Sequence, residues 1–293
     1  MQFQQAMIVW LQTYLHPQCD LFFGAVTFFG GFNGTIFLWS FFVWCVSYAA
    51  GCRLILFTQL VHYIGTLWIK SSVALPRPFE TSSSVAAIIP ERGYSFPSGH
   101  AINGIAYWGY LAWFVKKPWV TVVSALMILL IGLSRVYLGL HYPTDILGGW
   151  VLGGLLLFIF IRSTSFLEKY FSRQNFFVKL FWLFGSAFVL AFALIRFGPP
   201  DTIGSWAIGN CCVYLGTGLG WMAKNRWLHF EAEEGTWLQK IIRFVVGNLV
   251  LMPVISFFPR NMGTFIFASL WITFGAPALF QITGLTKWQT KES

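Results

Sequence analysis

Charged residues are scarce in this sequence and make up 10% of its 293 residues, against about 25% in an ordinary soluble domain. Acidic residues are the scarcer kind, with ten Asp and Glu against nineteen Lys and Arg. The net charge of +9 could indicate nucleic-acid binding, but the chain has no basic run and no RNA-type aromatic motif. The composition therefore excludes a soluble globular domain and argues against a nucleic-acid partner.

Cysteine is also sparse, and its spacing excludes two further kinds of protein. The five cysteines form no C-x-x-C pair, so the sequence predicts neither a zinc site nor a disulfide framework. Most of them lie in apolar stretches, where a free thiol behaves as a small hydrophobic group.

Hydrophobic residues, by contrast, account for 57% of the chain and are arranged in runs without charge. An ionisable side chain at the centre of a bilayer is costly, so these runs mark candidate membrane spans. Several runs hold 16 residues, slightly fewer than the ~20 that cross a bilayer, so flanking Lys and Arg would have to reach the interface. The runs are residues 21–52, 54–69, 93–115, 118–134, 146–161, 180–195, 202–223, 244–259 and 261–286. We predict an all-α, polytopic transmembrane bundle of about nine spans.

The first run is too long for one span and is interrupted by glycines at 30–34. We place the crossing after this interruption, which leaves residues 1–19 as an N-terminal interfacial segment. With the N-terminus outside, thirteen of the nineteen basic residues, Arg53 among them, fall in cytoplasmic connections, as the positive-inside rule favours. The basic residues left outside are Lys70, Arg77, Arg92, Arg135, Arg196 and Arg260.

The first polar cluster, residues 70–78, lies at the outer end of the second span. It could be a simple interfacial anchor, in which Lys70 and Arg77 reach towards water and the prolines end the helix. Alternatively, it delivers two different cations to one point, because Arg offers a planar fork for phosphate oxygens and Lys a mobile point charge. On its own, this cluster favours the anchor.

The second cluster, residues 95–100, precedes the third span. Ser98 is a good helix N-cap and Gly99 relaxes the turn, which is a sufficient structural explanation. The same geometry also presents unpaired backbone N–H groups at a helix N-terminus, where Ser98 and Gly99 could hold an anion while His100 handles protons.

The third cluster, residues 134–145, connects the fourth span to the fifth. We expect Pro143 at the first helical position and Asp145 in the first turn, with its carboxylate reaching back to His141. This pair could be an ordinary link that caps a helix. As chemistry, an Asp on one ring nitrogen sets the tautomer and prepares the other nitrogen as a nucleophile, and Arg135 would add a third cation.

All three clusters face the outer side under the orientation that the basic residues favour. Gathered there, they would form a strongly cationic pocket with a nucleophile and a separate acid, which suits a phosphate ester. The remaining outer carboxylates, Glu80, Glu91 and Asp201, are too few and too scattered to predict a two-metal site.

At these residues the sequence resembles the type 2 phosphatidic acid phosphatase superfamily, whose signature has the parts K-x6-RP, PSGH and SR-x5-H-x3-D. One part alone is weak, but the joint match in this order and topology is specific. The resemblance covers about residues 20–162, and residues 163–293 form a C-terminal transmembrane extension. The matching residues are Lys70, Arg77, Pro78, Pro97, Ser98, Gly99, His100, Ser134, Arg135, His141 and Asp145.

The resemblance implies a six-helix core and a two-step hydrolysis that uses no metal and no cofactor. His141 would attack phosphorus with the help of Asp145 and form a phosphohistidine. His100 would protonate the leaving oxygen and then assist the attacking water. The phosphoryl oxygens would be held by Lys70, Arg77, Arg135, Ser98 and the Gly99 backbone.

The resemblance further implies a lipid phosphate or pyrophosphate phosphatase of the bacterial inner membrane, with its site at the periplasmic face. Undecaprenyl pyrophosphate is the first candidate substrate, and phosphatidylglycerophosphate, phosphatidate and sphingoid phosphates are others. The nearest alternatives are a phosphotransferase to another lipid and a sugar-phosphate phosphatase of the glucose-6-phosphatase type, although Asp145 and a short outer loop argue against the latter. A transporter or receptor for anionic lipids would belong to a different class.

Overall fold

The computed structural model describes residues 2–197 and 205–286, and within them the chain forms α-helices and no strand. π-helical turns extend several of the helices, at Phe42–Val46, His62–Ile69, Ile105–Gly109 and Trp271–Gly275. The helices are α1 (Gln2–Leu15), α2 (Asp20–Phe28), α3 (Phe32–Phe41), α4 (Tyr48–Val61), α5 (Lys70–Val73), α6 (Pro78–Thr81), α7 (Gly99–Gly104), α8 (Tyr110–Val115), α9 (Pro118–Tyr137), α10 (Pro143–Ser172), α11 (Phe176–Phe197), α12 (Ser205–Trp227), α13 (Trp237–Phe257), α14 (Met262–Leu270) and α15 (Ala276–Ile282).

The described residues divide into two compact units. The first contains residues 2–35 and 60–166, and the second contains residues 36–59, 167–197 and 205–286. All three polar clusters of the sequence belong to the first unit. The division of the chain at residues 19 and 162 stays a prediction.

Within residues 2–197 and 205–286, six helical segments are long and apolar enough to cross a membrane, and a seventh is added if α2 and α3 form one bent span. The all-α, polytopic membrane class is thereby confirmed. The count of nine stays a prediction, because the segment 99–115 and helix α12 are helical but fall outside these six. The six are Tyr48–Thr81, Pro118–Tyr137, Pro143–Ser172, Phe176–Arg196, Trp237–Phe257 and Met262–Ile282.

The first apolar run does not form a continuous helix up to the next charged residue, because the helical backbone is broken at Ser47. Ser47 is extended, with φ −158° and ψ 123°, and α4 begins directly after it. Arg53 therefore lies inside α4, where it forms an ion pair with Glu168. The prediction that Arg53 belongs to a connection between spans is wrong, because a paired arginine is tolerated within a helix and a backbone break needs no charge.

Helix α1 lies against the core of the first unit. Ile8 and Leu11 are buried in the same hydrophobic cluster as residues of the α9–α10 connection. Phe3 and Trp10 are 82% and 59% exposed, so α1 also presents an apolar surface of the kind that suits a membrane interface.

Helix α1 also links the connection that follows α6 to the end of α9. The Gln12 side-chain amide donates to the carbonyl oxygens of Ala86, at 2.8 Å, and Tyr137, at 3.0 Å. Gly139 has a φ of +75°, and a Cβ built there would lie 2.1 Å from the Ala86 oxygen. Only glycine allows this contact, because any side chain would collide with the neighbouring backbone.

Helices α7 and α10 approach each other closely at Gly149. A Cβ at this position would lie 2.8 Å from the Ser98 carbonyl oxygen and 2.8 Å from the Ala101 side chain. The first turns of α10 therefore lie against the start of α7, which brings the second polar cluster next to the third.

Candidate active site

His141 lies in the connection between α9 and α10, and Asp145 lies in the first turn of α10. The predicted placement of Pro143 and Asp145 at the start of this helix is confirmed. His141 Nδ1 is 3.4 Å from Asp145 Oδ2, and both side chains are buried. The Arg135 carbonyl oxygen accepts the backbone N–H of His141 at 3.2 Å, which holds the imidazole against the end of α9.

Further hydrogen bonds orient the Asp145 carboxylate. Its Oδ2 accepts the Ser95 hydroxyl and, at 2.8 Å, the Tyr142 backbone N–H. The Asp145 carbonyl oxygen accepts the Ser98 backbone N–H at 3.1 Å. The second and third clusters are thus joined through Asp145, and Ser95, to which the sequence assigned no role, is a direct partner of its carboxylate.

Arg77 lies on the other side of the His141 ring. Its Nη1 is 3.3 Å from His141 Nε2 and donates to the Leu140 carbonyl at 2.9 Å. Its Nε and Nη2 donate to the carbonyl oxygens of Gly93 and Arg92, at 2.7 and 3.1 Å. His141 therefore has a carboxylate at Nδ1 and a guanidinium at Nε2, which fits a proton on Nδ1 and a lone pair on Nε2.

Arg135 lies in the last turn of α9 and is fully buried. Its Nη1 donates to the Thr27 hydroxyl at 2.9 Å, and its Nη2 forms an ion pair with Glu91. Its Nε has no hydrogen-bond partner within the described residues, so this guanidinium has unused donor capacity.

Glu91 lies between the two guanidiniums. Its Oε1 is 3.4 Å from Arg77 Nη2, and its Oε2 pairs with Arg135. Burial would raise the pKa of this carboxyl group, but Arg135, His100 and Arg77 together lower the pKa to about 2. Glu91 is therefore an anion at neutral pH, and its place in the centre of the cations was not predicted.

Lys70 begins α5 and turns its ammonium group towards the same connection. Its Nζ donates to the carbonyl oxygens of Tyr94 and Ser95, at 2.8 and 3.2 Å. The three predicted cations of the site thus contact one short segment, residues 91–95, either directly or, for Arg135, through Glu91.

The PSGH segment begins α7. Ser98 caps this helix, as predicted, by accepting the Ala101 backbone N–H at 3.4 Å, and Gly99 is the first helical residue. The His100 ring lies against the glycines that separate α2 from α3, and a Cβ at Gly31 would be 3.3 Å from its Nε2. Its charge interacts with Arg135 and Glu91, so His100 borders the same group of cations.

Burial and positive charge together define the electrostatics of the site. Burial lowers the pKa of His141 well below its usual value, and Lys70, Arg135 and Arg77 lower this pKa further. The imidazole is therefore neutral at pH 7. A neutral imidazole beside three cations and a carboxylate can act as a nucleophile towards an anionic electrophile.

No cluster of three or more His, Cys, Asp or Glu side chains suited to a metal ion occurs within residues 2–197 and 205–286. The expectation that the reaction needs no metal and no cofactor stays a prediction.

Two segments of the chain match known families. Residues 50–169 match the PAP2 superfamily, and residues 208–288 match the transmembrane extension of PAP2 superfamily phosphatases. The first segment contains every predicted site residue, and the second lies within the predicted C-terminal extension. No solved structure matches the chain significantly.

Several curated proteins are similar to parts of the chain. Phosphatidylglycerophosphatase B of Bacillus subtilis is 39% identical over 83 residues, which are 25% of this chain and 41% of that protein. Undecaprenyl-diphosphatase of Sulfolobus acidocaldarius is 33% identical over 98 residues, or 33% and 47% of the two chains. Sphingosine-1-phosphate phosphatase 1 of Rattus norvegicus is 25% identical over 193 residues, or 63% and 43%. The chain thus spans less than half the length of each of these relatives.

Proposed function

The chain belongs to the type 2 phosphatidic acid phosphatase (PAP2) superfamily, and we propose that it is a membrane-embedded phosphatase that hydrolyses lipid phosphates or lipid diphosphates through a phosphohistidine at His141. The observation that carries this proposal is the buried imidazole of His141 between Asp145 and Arg77. Its lowered pKa leaves the ring neutral, and neutrality is what a nucleophile requires.

In the first step, the His141 Nε2 lone pair forms a bond to phosphorus while the phosphorus–oxygen bond to the leaving group breaks. His100 gives a proton to the leaving oxygen. Asp145 stabilises the positive charge that develops on the imidazole through Nδ1, from which it is separated by 3.4 Å. In the second step, water attacks phosphorus, its proton passes to His100, and the nitrogen–phosphorus bond breaks to release inorganic phosphate.

The phosphoryl oxygens would be held by Lys70, Arg77, Arg135, Ser98 and the Gly99 backbone. Donors that are already in position where negative charge develops supply most of the stabilisation of a charged transition state. Three cations near one buried imidazole are the arrangement that such a reaction needs.

We further propose that the substrate is a lipid of the bacterial inner membrane that enters sideways at the periplasmic face, with undecaprenyl pyrophosphate as the first candidate. A relative named undecaprenyl-diphosphatase and another named phosphatidylglycerophosphatase B support a lipid substrate. In this proposal, residues 20–162 form the catalytic core, residues 1–19 an interfacial segment, and residues 163–293 a C-terminal transmembrane extension.

The test is a substrate panel with the full chain in detergent micelles, which compares undecaprenyl diphosphate, phosphatidylglycerophosphate, phosphatidate, sphingosine 1-phosphate and glucose 6-phosphate. We expect phosphate release from at least one lipid, and inhibition by vanadate, which mimics five-coordinate phosphorus. His141→Ala should lower turnover by at least about 10⁴-fold, whereas His229→Ala, an exposed histidine of the second unit, should retain it.

Three results would contradict parts of this proposal. Equal turnover by His141→Ala and the parent protein would exclude His141 as the nucleophile. Phosphate transfer to an added acceptor lipid without release of free phosphate would identify a phosphotransferase. Lipid binding without turnover of any substrate would indicate a transporter or receptor.

A further inference from the structure

We propose that Glu91 is a built-in anion that occupies the phosphoryl-binding position between Arg77 and Arg135 in the absence of substrate and leaves it when a substrate phosphate binds. This inference rests on the proposed function, because it assigns the two guanidiniums to phosphate. Glu91 lies outside the three-part signature. If it acts in this way, the substrate phosphate replaces a carboxylate of the protein when it binds.

The contacts of Glu91 are those expected of a bound oxyanion. One carboxylate oxygen faces Arg77 at 3.4 Å, and the other pairs with Arg135. Guanidinium groups bind carboxylates and phosphates through the same planar arrangement of N–H donors. The two groups are therefore alternative occupants of one position.

The charge of the site requires an anion when no substrate is present. Arg77 and Arg135 are 2% and 0% exposed, and Lys70 interacts with both of their charges. A buried charge without a partner is strongly unfavourable. Asp145 does not contribute a carboxylate between the guanidiniums, because its Oδ2 faces Ser95, Tyr142 and His141. Glu91 is therefore the carboxylate that contacts both guanidiniums.

Glu91 is also able to leave. Its side chain is 27% exposed, whereas the Arg77 and Arg135 side chains that it contacts are only 2% and 1% exposed. It lies in the connection between α6 and α7 and outside any helix. A rotation about its side-chain bonds can thus bring the carboxylate into solvent without moving the arginines.

Displacement of Glu91 favours highly charged substrates. A terminal phosphate carries about 1.5 to 2 negative charges at neutral pH, and a diphosphate carries more, so both exceed the single charge that they displace. A phosphodiester carries one charge and gains nothing by the exchange. Glu91 would therefore discriminate against the phosphodiesters that are abundant in a membrane.

The test compares inhibition by orthovanadate and by inorganic phosphate in the full chain in detergent. Glu91→Gln keeps the size of the side chain and removes its charge, so the inhibition constants of both anions should fall by on the order of tenfold. Glu80→Gln is the matched control. Glu80 is exposed, and its carboxylate accepts the backbone N–H of Arg77, whereas that of Glu91 contacts the Arg77 guanidinium. The inhibition constants of Glu80→Gln should stay within about twofold of the parent values.

Unchanged or higher inhibition constants in Glu91→Gln would overturn the inference, because a residue that only positions the arginines would weaken anion binding when altered. If Glu91→Gln does not fold, the same inhibition constants are measured for Glu91→Asp. Its shorter side chain cannot reach both guanidiniums, so the constants should again fall, and constants equal to or above those of the parent would contradict the inference.

The two levels of the proposal fail in different ways. A parent protein that hydrolyses no lipid phosphate and binds no vanadate would contradict the proposed function itself. A parent that hydrolyses lipid phosphate and is inhibited by vanadate, together with Glu91→Gln constants that do not fall, would contradict only the role of Glu91.

Discussion

The two units of the molecule both bury arginine, but they satisfy it differently. In the second unit, Arg243 is fully buried and donates to the Leu285 carbonyl oxygen at 3.0 and 2.7 Å and to the Ala232 carbonyl oxygen at 3.4 Å. Its guanidinium carbon lies 5.3 Å from the centre of the Phe230 ring. Fixed backbone and ring partners surround this arginine, and its role is structural.

In the first unit, Arg77 and Arg135 are buried as deeply, and Arg77 also donates to three backbone carbonyl oxygens, but the two guanidiniums share one carboxylate as well, and Lys70 lies nearby. The Glu91 carboxylate that they share is partly exposed, with 27% of its side chain accessible. Burial alone therefore does not distinguish a binding arginine from a structural one, whereas a shared and partly exposed carboxylate partner does.

Among the buried arginines, the larger effect should follow from replacing Arg135. Arg135→Lys keeps the charge but removes the fork that reaches two partners, and loss of one such donor lowers kcat by about 10²- to 10³-fold. Arg243→Lys is the matched substitution in the second unit, and its kcat/KM should stay within about threefold of the parent because carbonyl oxygens accept equally from an ammonium group. Steady-state hydrolysis of one lipid phosphate by both variants checks this difference.

Equal losses of activity in the two variants, at equal amounts of folded protein, would show that both arginines act only through stability. The thermal midpoint of each variant in detergent separates a loss of stability from a loss of catalysis. Arg243→Lys should lower this midpoint, but the molecules that remain folded should hydrolyse substrate as fast as the parent protein.

A smaller effect should follow from Ser95, which we consider a positioning residue because it acts on Asp145. Ser95→Ala removes the hydroxyl that donates to the carboxylate and should lower kcat by about tenfold, the value of one buried hydrogen bond to a charged group. The inhibition constant of vanadate should not change, because the arginines keep their contacts. Ser95→Thr should restore much of kcat, and failure of this rescue together with weaker vanadate binding would indicate a general disruption of the site.

These residues also show where prediction from sequence ends. Helix starts at Pro143 and Ser98 follow from local rules for proline and capping residues, and both are confirmed. Glu91 and Ser95 lie in an irregular connection without periodicity, and their partners Arg135 and Asp145 are 44 and 50 residues away in the sequence. Contacts of this kind depend on tertiary packing, so neither residue carried a signal beyond its proximity to the PSGH segment.

The membrane segments show the same limit. Charge-free runs located most of the helices because a charge at the bilayer centre is costly. The helix break at Ser47 and the inclusion of Arg53 in α4 were missed, since the break carries no charge and the arginine has an acidic partner. The number of spans depends on such details, whereas the fold class does not.

Alanine substitutions at two glycines with similar backbone angles should lower the stability of the protein by different amounts. Gly139 in the first unit and Gly284 in the second have φ values of +75° and +70°, but a Cβ at Gly139 would meet the Ala86 oxygen at 2.1 Å, whereas nothing lies within 4 Å of one at Gly284. Both Ala substitutions lose about 1–2 kcal/mol to the left-handed conformation, and Gly139→Ala adds a collision with backbone. We expect the thermal midpoint in detergent to fall several degrees further for Gly139→Ala, and equal midpoints would contradict the close contact.

The smallest effect concerns pH, and it tests whether burial among cations makes His141 a ready nucleophile. A histidine with the usual pKa of about 6.5 would be roughly 90% protonated at pH 5.5 and would lose about tenfold in kcat/KM. The pKa of His141 is well below that value because of burial and the neighbouring cations, so its neutral form persists at pH 5.5. After correction for the second ionisation of the substrate phosphate, which has a pKa of about 6, kcat/KM should not fall by more than about twofold as the pH is lowered from 7.5 to 5.5, and protonation of His100, the proposed acid, can only raise it. A tenfold loss over this range would mean that the His141 imidazole is protonated in the free enzyme at pH 5.5. In that case Glu91→Gln should make the loss smaller, because removing the nearby negative charge lowers the pKa of any histidine in the site.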